Sequence, residues 1–319
     1  MGGTEQKLIM SELCNICPRR CNVVRSDALD NTVRCPGVCH SPALPMVARA
    51  GLHFWEEPVI SGSRGSGTVF FSGCNLQCVY CQNYNISSQS AGKIITIERL
   101  KMIYRELYEQ SAHNINLVTP THYSHAILQS LNSKLPIPVV YNTNSYDSID
   151  TLKLFESKVD IYLADYKYSD NAPALRYSKV KDYAETAWRA IQEMYRQTGP
   201  YKINSDGIMQ RGVIIRHLIL PNAVENTLKV IEMVAKNFSP GEVLFSLMRQ
   251  YLPCGKVSAE DYPELNRRVS DEEYALIEDA LFASGIEDGF VQDESSAVND
   301  FIPCFDGSGV ENQEPNCMR

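Results

Sequence analysis

The sequence predicts an α/β protein: a partial (β/α)6 barrel of TIM type, preceded by a cysteine-rich N-terminal extension. Three observations predict it. Six short apolar runs, rich in β-branched and aromatic residues, recur along the chain with stretches of helical periodicity between them. Such alternation implies parallel strands joined by right-handed crossovers. Six units are too few to close an eight-stranded barrel, and the runs end in polar residues, where such barrels gather their functional groups. Residues 1–60 read as the extension, 61–285 as the barrel and 286–319 as a Gly- and Asp-rich tail.

In chain order, the first strand is expected over 68–72, entered through a Gly/Ser-rich approach. No Lys-Ser/Thr pair follows those glycines, which excludes a Walker-type phosphate loop. Ile97, Leu100, Ile103, Tyr104, Leu107 and Tyr108 share one helical face. Strands follow at 115–118, 137–141 and 159–163, with helices over 123–131 and about 149–155 between them. A helix over about 183–195 stops at Gly199-Pro200, and residues 201–210 suit a small hairpin insertion. The fifth and sixth strands fall at 213–220 and 243–247, and Asn222 is placed to cap the helix between them. Ser270 with Glu273 makes a capping box for a last helix ending near Gly285.

The 319 residues carry a net charge of -8 without a dense Lys/Arg stripe, which gives no encouragement for nucleic acid. No apolar run approaches the roughly 20 residues that span a bilayer, and no signal peptide is visible, so a cytoplasmic protein is expected. Eleven cysteines in that setting argue for metal binding and against a disulfide framework.

Two cysteine groups stand out. Cys74, Cys78 and Cys81 follow the first strand at C-x3-C-x2-C spacing, so one short loop can aim three thiolates at one point. Zinc sites and ordinary iron–sulfur clusters take four protein ligands; three on a four-iron cube leave one iron open. A zinc knuckle with a distant fourth ligand, or three buried thiols, are the plainer alternatives. The second group is Cys14, Cys17, Cys21, Cys35 and Cys39, in a polar segment lacking periodicity, to which a metal would lend order. Cys14, Cys17 and Cys21 form its nucleus. Cys39, put first, competes with Cys35 for fourth place, and a second iron–sulfur cluster, a zinc ion and no metal all remain open.

The C-x3-C-x2-C loop resembles the C-x3-C-x-aromatic-C signature of radical S-adenosylmethionine (SAM) enzymes, with Tyr80 at the aromatic position. The resemblance implies the same partial barrel, a [4Fe-4S] cluster on Cys74, Cys78 and Cys81, and SAM chelated to the open iron. Reductive cleavage of SAM would then give a radical that abstracts hydrogen. It further implies SAM contacts from Asn144, Asp165, Lys167 and Arg216, with Gln250 and Tyr251 beside the adenine. Thr119-Pro120-Thr121 stands where the family often carries Gly-Gly-Glu-Pro, so Thr119 takes the place of the amine-binding element. The residues by themselves leave plainer roles open: an ion pair for Asp165 and Lys167, which lie two apart on one strand face, and a turn for Asn144. His122, His125 and His217 read as satisfied polar groups.

The Cys-x-x-Cys-Pro-Arg-x-Cys run, His53-Phe54-Trp55-Glu56-Glu57-Pro58, the 116–122 and 159–163 segments and Phe301–Val310 narrow the resemblance. They are similar to uncharacterised iron–sulfur proteins related to pyruvate formate-lyase activating enzyme. That implies a low-potential electron donor of flavodoxin or ferredoxin type and a glycyl-radical enzyme as partner. Modification of a peptide or small molecule is the alternative, and a non-catalytic iron–sulfur or zinc protein is the competing class. Cys254 and Cys304 are candidate hydrogen-atom donors or extra ligands, against the plainer reading of lone cysteines as small hydrophobes.

Overall fold

The computed structural model describes residues 13–32, 34–292 and 302–311. Residues 1–12 of the expected extension, and 293–301 and 312–319 of the expected tail, lie outside the described residues, Phe301 of the C-terminal motif among them.

The strands are β1 (Met46–His53), β2 (Ser66–Phe71), β3 (Lys93–Ile94), β4 (Ile115–Val118) and β5 (Val139–Thr143). They continue with β6 (Ile161–Asp165), β7 (Lys202–Ile203), β8 (Met209–Leu218), β9 (Leu244–Met248) and β10 (Gly289–Val291). Their order in the sheet is β10-β9-β8-β6-β5-β4-β2-β1-β3, with β7 paired to β8. The run from β2 to β10 is parallel throughout, as a partial TIM-type barrel requires.

All six expected strands are present, and β4 has the expected bounds. β5 and β6 begin and end two residues later than expected, because their ladders run on into Asn142-Thr143 and Ala164-Asp165. Three strands were not expected, among them the two-residue β3, which pairs antiparallel with β1. β1 pairs antiparallel with β2, and β10 adds a parallel strand beside β9 from within the stretch read as tail. The hairpin insertion is β7 folding back on β8.

The helices are α1 (Pro58–Ser61), α2 (Tyr84–Ser87), α3 (Ile97–Glu109), α4 (Ser124–Ser130) and α5 (Ile149–Lys153). After them come α6 (Asn171–Ser178), α7 (Tyr183–Thr198), α8 (Val224–Asn237) and α9 (Asp271–Ala283). Thr96 caps α3 by accepting from Arg99 N, and Leu100, Ile103, Tyr104 and Leu107 are its buried face. The Ser270–Glu273 capping box forms at α9. Asn222 does not cap α8. It sits at φ 59, its side chain donates to Glu264 O, and Ala223 is the N-cap. No helix among the described residues is long and apolar enough to cross a membrane.

Strand periodicity divides the core. Val139, Tyr141, Tyr162, Ala164, Val213, Ile215, Phe245 and Leu247 join the main core with the helices. Their alternates Val140, Ile161, Leu163, Ile214 and Leu244 meet Ile60 of α1 in a smaller core on the opposite face. One step further along that second face stand Asn142, Asp165, Arg216 and Ser246. The inner face is thus apolar at one end and charged where the strands finish.

Candidate functional site

The loop leaving β2 turns at Gly73, whose φ of 85 suits glycine. A Cβ there would fall 2.1 Å from Ser41 Oγ and 2.8 Å from the Cys39 carbonyl. The loop is therefore pressed against the N-terminal extension, and its cysteines face away into a cavity of about 580 Å³.

Cys74, Cys78 and Cys81 all line that cavity and, among the described residues, no other cysteine does. Each sulfur has a hydrogen-bond donor: Asn144 Nδ2 at 3.4 Å from Cys74, Ser178 Oγ at 3.0 Å from Cys78 and Ser87 Oγ at 3.3 Å from Cys81. Burial pushes the Cys78 thiol up to about 12 and the Cys81 thiol up to about 11, while the Lys167 charge pulls both down. A bound metal would tip all three to thiolates.

The expected SAM residues share this cavity: Tyr80, Thr119, Asn144, Asp165, Lys167, Arg216 and Gln250 all line it. Asp165 lies at their centre, with Lys167 Nζ 2.7 Å from Oδ2 and Arg216 Nε 2.8 Å from Oδ1. Burial would raise the Asp165 carboxyl, but Arg216 and Lys167 outweigh it and hold the group below the usual range. Burial likewise opposes the charge on Lys167, and Asp165 with Cys78 overcomes it. Thr119 is held at φ 58, a backbone region a β-branched side chain seldom enters. Asn144 is committed on both ends, donating to Asn75 Oδ1 as well as Cys74 and accepting from Tyr146 N. Tyr80 shares a 2.7 Å hydrogen bond with the Tyr168 hydroxyl, which shares another with Ser178, the donor to Cys78. Tyr251 packs edge-on against the Tyr80 ring. Among the described residues, Gln250 Nε2 makes only a 3.6 Å contact to Met248 Sδ.

Other candidates lie elsewhere. Cys254 is outside the lining, its thiol donating to Tyr80 O, and Cys304 is exposed. His217 is a satisfied buried group between Tyr166 O and Thr227 Oγ1, and His122 Nε2 donates to Ser72 O.

Sequence reasoning missed the floor of the site. Glu56 takes hydrogen bonds from Asn116, Asn142 and Arg216, and Glu57 places Oε2 3.7 Å from Arg216 Nη1. Burial raises the Glu57 carboxyl, with Arg216 acting against it. Glu57 Oε2 and Ser246 Oγ have no hydrogen-bond partner among the described residues. The signal was a pair of adjacent carboxylates in the stretch Phe54 to Ile60, inside a motif read for its resemblance and not for the site.

This geometry can be set beside known proteins. The radical SAM superfamily model matches residues 68–212. An uncharacterized protein of Methanocaldococcus jannaschii is 34% identical over 278 residues, spanning 84% of this chain and 73% of that protein. The chain belongs to the radical SAM superfamily. SuiB of Streptococcus suis, solved bound to SAM, aligns at 11% identity and TM-score 0.44, over 69% of this chain and 48% of SuiB. The chain thus spans about half the length of SuiB. QueE of Escherichia coli aligns at 10% identity and TM-score 0.38, over 79% of this chain and 94% of QueE.

A radical SAM protein uses a [4Fe-4S] cluster and SAM, and the residues present fit both. Three thiols with a donor on each sulfur would hold three irons of such a cube and leave the fourth for SAM. Beside them the charged strand ends, where oxygens of Glu57 and Ser246 lack a hydrogen-bond partner among the described residues, offer both signs of charge to a zwitterion.

Proposed function

We propose that this protein is a radical SAM enzyme in which Cys74, Cys78 and Cys81 hold the [4Fe-4S] cluster and the β5, β6 and β8 strand ends hold SAM. When bound, the two cofactors supply a 5′-deoxyadenosyl radical able to abstract hydrogen. The observation that carries this reading is one cavity lined by three cysteines and by the Asp165–Lys167–Arg216 group.

In this reading Lys167 and Arg216 present positive charge to the SAM carboxylate. Asp165 and Glu56 fix those two cations in place, which keeps the site oriented before the ligand arrives. Asn144 and Ser178 hold the cysteine sulfurs by hydrogen bonds. Thr119, at the end of β4, serves the amine side, and Gln250, after β9, the adenine. Tyr80 closes the cavity wall, its hydroxyl tied to Tyr168.

A low-potential donor of flavodoxin or ferredoxin type supplies the electron, and the cysteine usage suits a reducing, cytoplasmic setting. A backbone glycine of a partner enzyme is the substrate supported by the likeness of the sequence to activating enzymes. Modification of a peptide or small molecule is the second reading of the same chemistry.

The test is anaerobic reconstitution with iron and sulfide, then dithionite and SAM. Release of 5′-deoxyadenosine is expected. An intact, reducible cluster that cleaves no SAM overturns the proposal.

A further inference from the structure

The five cysteines of the extension play no part in that chemistry, yet the fold gathers them. Cys14, Cys17, Cys21, Cys35 and Cys39 line one small cavity, separate from that of the triad. Cys17 and Cys35 are buried. The segment is shaped by tight turns, not by a core. Cys14 exchanges main-chain hydrogen bonds with Val23 and Asn22, Cys17 O accepts from Arg20 N, and Gly37 O accepts from His40 N. Arg20, Asn22 and His40 are all left-handed, with φ of 43, 52 and 53. Turns of this kind need an anchor that the apolar content of the segment does not provide.

Charge points the same way. Arg19 and Arg25 line the cavity, and among the described residues neither forms an ion pair; both are held by main-chain carbonyls. Two guanidiniums beside five thiols suit an anionic centre, which a thiolate-ligated cluster is.

Spacing separates a cluster from zinc. A zinc tetrahedron with Zn–S of about 2.3 Å draws its sulfurs to within about 3.8 Å of one another. Among the described residues no three His, Cys, Asp or Glu side chains are arranged to hold a single ion. That holds equally for Cys74, Cys78 and Cys81, where the superfamily implies a four-iron cluster. A cluster places each sulfur on a different metal and does not need that convergence.

We propose that Cys14, Cys17, Cys21 and Cys39 bind a second iron–sulfur cluster, with Cys35 beside it as a non-ligating thiol. The proposal does not depend on SAM cleavage, and its test separates the two. The triple variant Cys74→Ala, Cys78→Ala, Cys81→Ala keeps the N-terminal ligands; after anaerobic reconstitution it is expected to retain about four irons per chain and a cluster EPR signal on reduction, against about eight irons in the wild type. The double variant Cys17→Ala, Cys39→Ala is expected to lose about four irons and keep the signal of the triad. Cys35→Ser is expected to keep the full iron complement, and Cys39→Ser to lose part of it on gel filtration. A triple variant that folds by circular dichroism yet binds no iron, or binds one zinc instead, overturns the proposal. Iron loss in Cys35→Ser but not Cys39→Ser overturns the choice of fourth ligand.

Discussion

Replacing Arg216 with methionine removes the cation on which three buried carboxylates converge. Its Nε lies 2.8 Å from Asp165, and its Nη1 lies 3.0 Å from Glu56 and 3.7 Å from Glu57. None of the four side chains is more than 14% exposed. Methionine fills much of the space but leaves the carboxylates stranded, and breaking a buried ion pair this way costs about 3–5 kcal/mol. Proton uptake returns part of the loss, at a cost of about 1.4 kcal/mol for each unit by which the solution pH lies above the carboxyl's unfolded pKa. The direction of the pH effect follows from which state binds the proton. In the wild type Asp165 is held low, so its contribution is complete above its unfolded value and fades only as pH falls through the depressed one. In the variant the buried carboxyls titrate above their unfolded values, so the folded state binds more protons and regains stability as pH falls. Urea unfolding of reconstituted protein should therefore show a loss of about 3–5 kcal/mol at pH 8 that shrinks at pH 5.5. Glu56→Gln in the same background should restore part of it. A loss below about 1 kcal/mol at pH 8, or one indifferent to pH, would refute Arg216 as the neutralising centre.

Four further outcomes can be checked. Cys78→Ala should reduce 5′-deoxyadenosine release to background, measured by chromatography on anaerobically reconstituted protein; retained turnover removes Cys78 from the ligand set. Ser178→Ala deletes the 3.0 Å hydrogen bond to Cys78 and should cost about 1 kcal/mol, with the cluster retained at a lowered reduction potential read by EPR titration. Gly73→Ala meets both a left-handed backbone and the Cys39 carbonyl, and its urea midpoint should drop by an amount worth about 2 kcal/mol or more. Burial lowers the His217 pKa to about 4 from an unfolded 6.5, so the unfolded chain alone binds that proton between the two values. Stability should fall by up to about 3 kcal/mol as pH drops through that window, and His217→Gln should flatten this part of the profile.

The strands of the barrel were legible because buried parallel strands are continuous apolar runs, as in Val69-Phe70-Phe71 and Val213-Ile214-Ile215. The late ends of β5 and β6 were not. Asn142, Thr143 and Asp165 are polar because they face the site, and polarity at a strand end imitates a loop. β1 lacks alternation and carries Gly51, and β10 is only three residues long, so neither announces itself. The cysteine loop was plain from spacing. Glu56 and Glu57 were hidden for a different reason: they reach Arg216 across a sequence separation of 160 for Glu56, a closure no local pattern encodes. Asn222 shows the converse, a good capping residue drawn off by Glu264 and Glu273.

Arg19 joins pieces of the molecule that are distant in sequence. Its guanidinium donates to the carbonyls of Asn75 and Leu76 in the triad loop, and of Ser178 and Lys179 behind Cys78. Gln77 answers from the other direction, donating to Val38 O at 2.5 Å. The consequence is a limit on modularity: the amino-terminal segment is the back wall of the triad loop. Transplanting it onto another barrel, or trimming it to obtain a minimal enzyme, would strip four main-chain acceptors of their donor and leave the first cysteine loop without its footing.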